Sequence, residues 1–482
     1  MHRSFAPVLF AFCGAILACS LCSAADLMIA DAAEAENWTL VETSLRDVDP
    51  DDAQSDGMTA LHWAVYHGHI ATVEKLVAAK CAVDAKTRYE VTPLSIACTL
   101  GHDKIVKTLL DAGADANREQ PGGVTPLMLA ARNGNAKSIQ HLLAKDAKVN
   151  EGERHKQTPL MWAAAEGNVS SIDALIDGGA DLSKTSKLGF TAMMFAVREG
   201  HIDVVNRLLE AGVDVNAVMK PSSSGARVPR KNTSALIMAV ESGHFAMAMF
   251  LVKKGADPND QRCGISALHL IPGIRKPNRG EGTDGDPAPR GSGNMSSLEF
   301  VRAIVAAGAE VDLKLKTGAS KKASLCRKGA TPMLLAGKTA DIDLMKLLVE
   351  LGGDPLEPNS EGCTPLMACA GIGVRAVGEE AGTEPEVIAA LEYLISQGAD
   401  VNTVDDNKET AMHGAAYRCY PKVVQFLAAN GADPKKWDHK NRSGWTPKRI
   451  GQGYRPGSFK PHPPTVAAIE AAKKKPASVK SD

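Results

Sequence analysis

The residues best equipped for chemistry in this sequence are histidines, cysteines and glycine-rich turns, and their spacing decides what each could do. His67 and His69 form an H-x-H beside Trp63, two imidazoles that could begin a zinc site. No second ligand pair stands at suitable spacing. His69, His102, His201 and His244 each follow a glycine in one recurring context, which is that of a helix-to-helix turn. His62, His269 and His413 share another recurring slot. Cys19 and Cys22 are spaced as in a haem-attachment motif, but Ser23 stands where that motif requires histidine. Gly337-Lys338-Thr339 has the end of a phosphate loop, whereas Pro332 occupies the position of its first glycine. Gly371-Ile372-Gly373 lacks the preceding strand that a dinucleotide turn needs. There is no G-x-S-x-G elbow and no carboxylate pair with an evident cleft. The sequence therefore assigns no catalytic, cofactor or metal residue, and a non-enzymatic role is expected. The remaining place for an enzyme site is a long Pro/Gly-rich excursion at 272–294.

The elements that would position any binding residue come from one repeated unit. In Asp56 to Glu90, Thr59 can cap a helix, and Leu61, Ala64 and Val65 give that helix one apolar stripe. Gly68 can end it in the left-handed conformation. Ile70, Val73, Leu76 and Val77 then form a second amphipathic helix, too short to stand alone in water. The capping hydroxyl recurs at Thr59, Thr92, Thr125, Thr158 and Thr191, a step of 33 residues, and continues with altered spacing at Ser234, Ser266, Thr331, Thr364, Thr410 and Thr446. Short helix pairs in tandem must stack to hide their apolar faces.

These residues resemble the ankyrin-repeat family. The likeness is carried by DGMTALHWAV at Asp56 to Val65, VTPLMLAARNG at Val124 to Gly134, QTPLMWAAAEG at Gln157 to Gly167 and ETAMHGAA at Glu409 to Ala416. The endings LLDAGADAN at Leu109 to Asn117, LLEAGVDVN at Leu208 to Asn216 and LISQGADVN at Leu394 to Asn402 agree with it. The resemblance implies an all-α solenoid of about ten helix-turn-helix repeats with short β-hairpin fingers and terminal caps. It also implies protein binding through the finger tips and the concave inner-helix face.

Residues 1–25 read as an export signal, with His2 and Arg3 before an apolar run and Ser23-Ala24-Ala25 before Asp26. Ile16-Leu17-Ala18-Cys19 loosely resembles a lipobox, which would make Cys19 a lipid anchor. Either way the mature chain is expected outside the cytoplasm, periplasmic or secreted. Residues 26–55 should cap the array, 56–455 should form it, and 456–482 should supply a closing helix and a tail. Inserts are expected near 217–232, 272–294, 313–328 and 374–385. Seven cysteines follow the signal, an odd number that gives no complete disulfide framework. Pairing of Cys326 with Cys263 or Cys363 is opposed by a repeat spacing of ~8–10 Å.

The net charge of −1 argues against bulk nucleic-acid affinity but conceals local segregation. Four residues before most capping hydroxyls stands a cation: Arg88, Arg154, Lys187, Arg230, Arg262, Arg327 and Arg442. Equivalent positions stack in a repeat array, so these are expected to line one edge. An acidic protein surface docking there would also meet Tyr66, His67, Tyr89, Arg132, Asn133, Phe190, Arg198, Tyr417 and Arg418, since aromatics and arginines are typical anchors. The rival expectation is a polyanion or anionic-lipid surface built on the same basic fingers.

Overall fold

The computed structural model describes residues 28–221, 230–277, 291–318, 325–375, 377–378, 380–455 and 460–474. Segment 1–25 with Cys19, most of the excursion at 272–294, parts of the other three inserts and the tail from 475 lie outside the described residues. Among those described, the chain forms twenty-five helices and no strand. It divides into two compact units, Met1–Lys148 and Val149–Asp482.

All eleven predicted capping hydroxyls, Thr59 to Thr446, stand at helix N-caps. In the first unit the Thr59, Thr92 and Thr125 hydroxyls accept from the N–H groups of His62, Ser95 and Met128 at 3.4, 3.3 and 3.3 Å. Gly101 ends the helix Pro93–Leu100 at φ +79°, and a Cβ there would come within 2.5 Å of Asn133 Oδ1. The first helices Ile29–Glu34, Ala60–Tyr66, Pro93–Leu100 and Pro126–Asn133 pack in succession. The second helices Trp38–Ser44, Ile70–Ala78, Asp103–Asp111 and Ala136–Leu143 form the other layer. Leu61, Val65, Leu94 and Leu127 of the first layer and Val73, Leu76, Leu109 and Ile139 of the second are all fully buried. Each such side chain contributes about 1.5–3 kcal/mol, which no isolated helix of this length could realise. Residues 28–44, expected as a cap, take both layers' geometry and pack like a further repeat.

In the second unit, the first helices Pro159–Glu166, Ala192–Glu199, Ala235–Glu241, Ala267–Arg275, Pro332–Lys338, Pro365–Ala370 and Ala411–Arg418 again pack in order. The closing helix lies at Pro463–Lys474, where Ala468, Ile469 and Ala472 are buried against the helices Pro421–Ala429 and Pro447–Gly451. The helix Ala267–Arg275 runs past Pro272, which was expected to end it and open the excursion. Its last turn is held because Arg275 makes two bonds to the buried Asp341, at 2.6 and 3.1 Å, and one to Ser297 at 2.9 Å. The seven cysteines among the described residues are free thiols.

The fingers are turns with little hairpin character. Among the described residues three close with isolated antiparallel bridges, Ala53 with Thr59, Gln120 with Val124 and Val218 with Ser234. A side-chain oxygen five residues before the cap closes several of them. Thr87, Asn359, Asp405 and Asn441 each accept from the N–H groups two and four residues on. Neighbouring fingers then bond tip to tip, as in Lys187 N–H to His155 O (2.9 Å) and Arg442 N–H to Asn407 O (2.8 Å).

The asparagine ending the GADVN-type segments joins each repeat to the next. The Asn402 amide donates to Gly431 O (2.9 Å) and its oxygen accepts from Asp433 N–H (2.7 Å). Asn117, Asn150, Asn216 and Asn259 form the same two-bond clamp. Three buried histidines add a second joint. Nδ1 of His62 accepts from Thr59 N–H, so its Nε2–H donates to Val91 O at 3.2 Å. His269 and His413 reach Ala330 O and His439 O likewise, at 3.0 and 3.3 Å. Burial lowers the proton affinity of all three, to about 4 for His269 and about 3 for His413.

Two outcomes follow from these joints. Asn402→Ala should cost about 1–2 kcal/mol through two lost hydrogen bonds, and Asn402→Asp about half as much, read from urea transition midpoints. For His269, the native state resists a proton that the unfolded chain accepts near the ordinary 6.5. Its contribution is thus fully present above pH 6.5 and is lost as pH falls towards 4, on the order of 3 kcal/mol. His269→Met, which matches Met128 and Met194 in the same slot, should flatten that part of the stability-versus-pH curve measured by denaturant titration.

Candidate functional site

In the first unit the expected contact residues form three groups. Tyr66 is 45% exposed and Tyr89 65%. His67 is half-buried, with Trp38, Trp63 and Tyr66 rings at 5.8, 5.9 and 5.2 Å. Its Nδ1 lies 3.5 Å from a Glu36 oxygen. Trp63 is oriented by Gln54, whose side-chain oxygen accepts from the indole N–H at 2.9 Å. His69 stacks on Trp38 at 4.5 Å. The two imidazoles are thus parts of an aromatic cluster, and the described residues hold no group of three or more His, Cys, Asp or Glu side chains placed to hold a metal ion. At the next finger, the exposed Arg88 lies over the Tyr89 ring at 5.4 Å and bonds its hydroxyl at 3.3 Å. Arg132 and Asn133 are exposed at the end of their helix, with the Asn133 amide donating to Thr99 O at 2.9 Å.

In the second unit Arg154 and Lys187 are exposed on adjacent tips. Farther along, the expected row of uncompensated cations is not what forms. Arg230 pairs with Glu241, and Arg262 makes a two-bond pair with Asp260 of its own finger at 2.8 and 3.1 Å. Asp260 is buried, and the two guanidinium bonds offset its desolvation, so its carboxyl is held below the usual range. Arg327 is exposed, and partial burial of its charge together with the nearby Arg230 lowers its proton affinity.

Three of the expected anchors lie inside the fold. Phe190 is buried against Phe195, and the exposed Arg198 covers both rings at 5.3 and 5.0 Å. Tyr417 and Arg418 are each 2% exposed. The Arg418 guanidinium donates to Ala381 O (2.8 Å), Gly382 O (3.4 Å) and Lys338 O (2.7 Å), so the insert at 374–385 is folded onto it. The Tyr417 hydroxyl donates to Glu409 at 2.8 Å. These two side chains organise the interior and offer nothing to a partner.

Beside Tyr417 lies a cavity of about 230 Å³ between fingers, which the sequence did not disclose. Its walls include Leu325, Cys363, Ile372, Glu361, Asp405 and Glu409. Asp405 and Glu409 are over nine-tenths buried. One Glu409 oxygen accepts from Tyr417 and from Asn441, at 2.8 and 2.7 Å. One Asp405 oxygen accepts from the Asn407 and Glu409 N–H groups at 2.9 and 2.7 Å. The half-buried Glu361 accepts from the Asn407 amide at 2.9 Å. Burial, with the Glu409 and Glu361 charges adding to it, pushes the Asp405 carboxyl up to about 7. Burial also raises Glu409, against the Tyr417 and Asn441 hydrogen bonds. The signal in the sequence was faint: acids at 405 and 409, where most fingers carry neutral residues.

A family model described as "Ankyrin repeats (3 copies)" matches residues 27–120 and 127–219, "Ankyrin repeat" matches 231–262, and "Ankyrin repeats (many copies)" matches 385–428. The first match begins at residue 27, within the segment expected as a cap. The armadillo Dasypus novemcinctus protein "Ankyrin repeat, SAM and basic leucine zipper domain-containing protein 1" is 30% identical over 123 residues, 26% of this chain and 24% of that protein. Human "Neurogenic locus notch homolog protein 2" is 29% identical over 144 residues, 26% of this chain and 6% of its own length. "Alpha-latrocrustotoxin-Lt1a" of Latrodectus tredecimguttatus is 29% identical over 108 residues, 22% and 8% respectively. The chain thus spans about a quarter of the first of these relatives and under a tenth of the other two. Because the matched models together cover more than half of the 482 residues, the chain belongs to the ankyrin-repeat family.

Proposed function

We propose that the protein is a non-enzymatic scaffold, exported from the cytoplasm, that holds a protein partner on its finger tips and inner-helix ends. The observation that carries this reading is the division of labour within each repeat. Framework side chains are buried, while Tyr66, Arg88, Tyr89, Arg132, Arg154 and Lys187 stay exposed at the tips and helix ends. Exposed tyrosines and arginines are the residue types that dominate protein interfaces. The exposed cations favour an acidic partner surface. Export is supported by the composition of residues 1–25, with a mature start at Asp26 or a lipid-anchored Cys19 as its two forms. The helices described contain none long and apolar enough to cross a membrane. The acids paired with Arg230 and Arg262 count against a general polyanion surface, since they cancel two of the expected charges.

The test is capture from an envelope fraction by the mature chain, followed by reversal of Arg88, Arg154 and Lys187 to Glu. Capture should fall about tenfold or more, which corresponds to roughly 1.4 kcal/mol. Unchanged capture would remove the basic tips from the interface. Loss of all binding at moderately raised salt would favour the polyanion reading instead. N-terminal sequencing of the protein from its native source should find a start at Asp26 or a modified Cys19, and an intact Met1 would overturn export.

A further inference from the structure

The cavity beside Tyr417 is built differently from the rest of the array. The oxygen five residues before a cap needs no charge to close a finger, because Thr87, Asn359 and Asn441 do so as neutral groups. Where an acid stands there in another repeat, Glu153, both of its oxygens accept finger N–H groups. Asp405 closes its finger with one oxygen alone. The residue directly before the cap is uncharged in every other repeat, most often apolar as in Val91, Val124, Phe190, Ile265 and Cys363, with Gln157 and Thr233 the polar cases, but it is Glu409 here. Two acids thus occupy slots that the fold fills without them, and both face one cavity.

Each of these buried carboxylates keeps an oxygen to spare. Asp405 Oδ2 and Glu409 Oε2 accept no hydrogen bond among the described residues, and neither is sealed from solvent. A buried carboxylate with donors on one oxygen alone is only partly compensated, and a ligand bearing donors for the other would offset more of its desolvation. Glu361 brings a third carboxylate to the rim. Arg442, the one cation lining the cavity among the described residues, makes no ion pair there. Leu325, Ile372 and Cys363 supply an apolar wall. The volume of about 230 Å³ is far above the ~10–15 Å³ a single water needs.

We propose that this cavity receives the guanidinium of an arginine side chain presented by a partner protein, with Asp405, Glu409 and Glu361 as its acceptors. A guanidinium is favoured over an ammonium because its planar fork of five N–H donors can meet several carboxylates at once and it is the more weakly hydrated cation. The arginine stem would lie along the apolar wall. The proposal rests on the protein-binding reading above, but concerns residues other than Arg88, Arg154 and Lys187; of the tip cations only Arg442 lines the cavity. The titratable groups lining the cavity with Asp405 are Glu409 and Tyr417 from its own repeat, Glu361 and Cys363 from the preceding finger, Cys326 from the finger before that, and Arg442 from the following one. Below about pH 7 Asp405 carries a proton, so entry of a cation should expel it.

The experiment is calorimetric titration of the full mature chain with N-acetyl-arginine amide at about pH 6 and about pH 9. One saturable site is expected, with proton release at the lower pH seen as heats that differ between buffers. Asp405→Asn, which copies Asn359 and Asn441, should keep the thermal midpoint and weaken binding about tenfold. If that variant fails to fold, Glu361→Gln on the half-buried rim carries the same comparison. No saturable binding, or binding unaltered by the substitutions, overturns the site. N-acetyl-lysine amide binding as tightly overturns the guanidinium assignment. Partner capture that survives while the probe fails to bind leaves the scaffold reading standing and removes the cavity from it.

Discussion

The side-chain amide that ends a repeat sets the distance and register of the next one. Asn117, Asn150, Asn216, Asn259 and Asn402 each satisfy one carbonyl and one N–H of the following turn, groups that a loop would otherwise leave to water. Hydrophobic burial supplies most of the free energy but is not directional, so it would tolerate sliding between adjacent helix pairs. The amide clamp and the tip-to-tip backbone bonds remove that freedom. Aspartate does part of the same work at Asp84 and Asp312, where the carboxylate can accept from Asp115 or Asp354 N–H but cannot donate to a carbonyl. Burial and the nearby acids Asp354 and Glu357 raise the Asp312 carboxyl, against the hydrogen bond from Asp354 N–H.

With the framework satisfied internally, surface positions are released from structural duty, and the two kinds of surface differ accordingly. The tips carrying Arg88, Arg154 and Lys187 project charge into solvent, where each interaction is individually weak and salt-sensitive. The cavity at Asp405 and Glu409 holds its acids largely buried, where a single good partner counts for more. A partner engaging both would gain association rate from the first and selectivity from the second.

Much of the scaffold was legible because its signals are local. A hydroxyl followed by Pro or Ala recurs at the head of each first helix, and all eleven from Thr59 to Thr446 stand at N-caps. The contact residues were legible only where the repeat is regular. Tyr417 occupies the sequence slot of the exposed Tyr66 and Arg132, and Arg418 that of the exposed Asn133, yet the insert before them folds over Arg418 and supplies it with two carbonyls, Lys338 giving a third. Where an insert will fold cannot be read from periodicity. Helix Ala267–Arg275 outruns Pro272 for a similar reason, since Asp341, distant in sequence, pins its final turn. The cavity acids were overlooked because pairing them requires knowing that residues 361, 405, 409 and 441 meet.

The lacing around Arg418 also bears on how the array comes apart. In a repeat solenoid each unit ordinarily touches its immediate neighbours alone, so unfolding can propagate inward one unit at a time. Arg418 bonds a carbonyl 80 residues away, at Lys338, and Lys276 reaches Glu386 across 110 residues. These links skip over intervening units and tie residues 276 to 418 into a single cooperative block. Fraying from the C-terminal end should therefore halt at this block, leaving it to open all together or not at all.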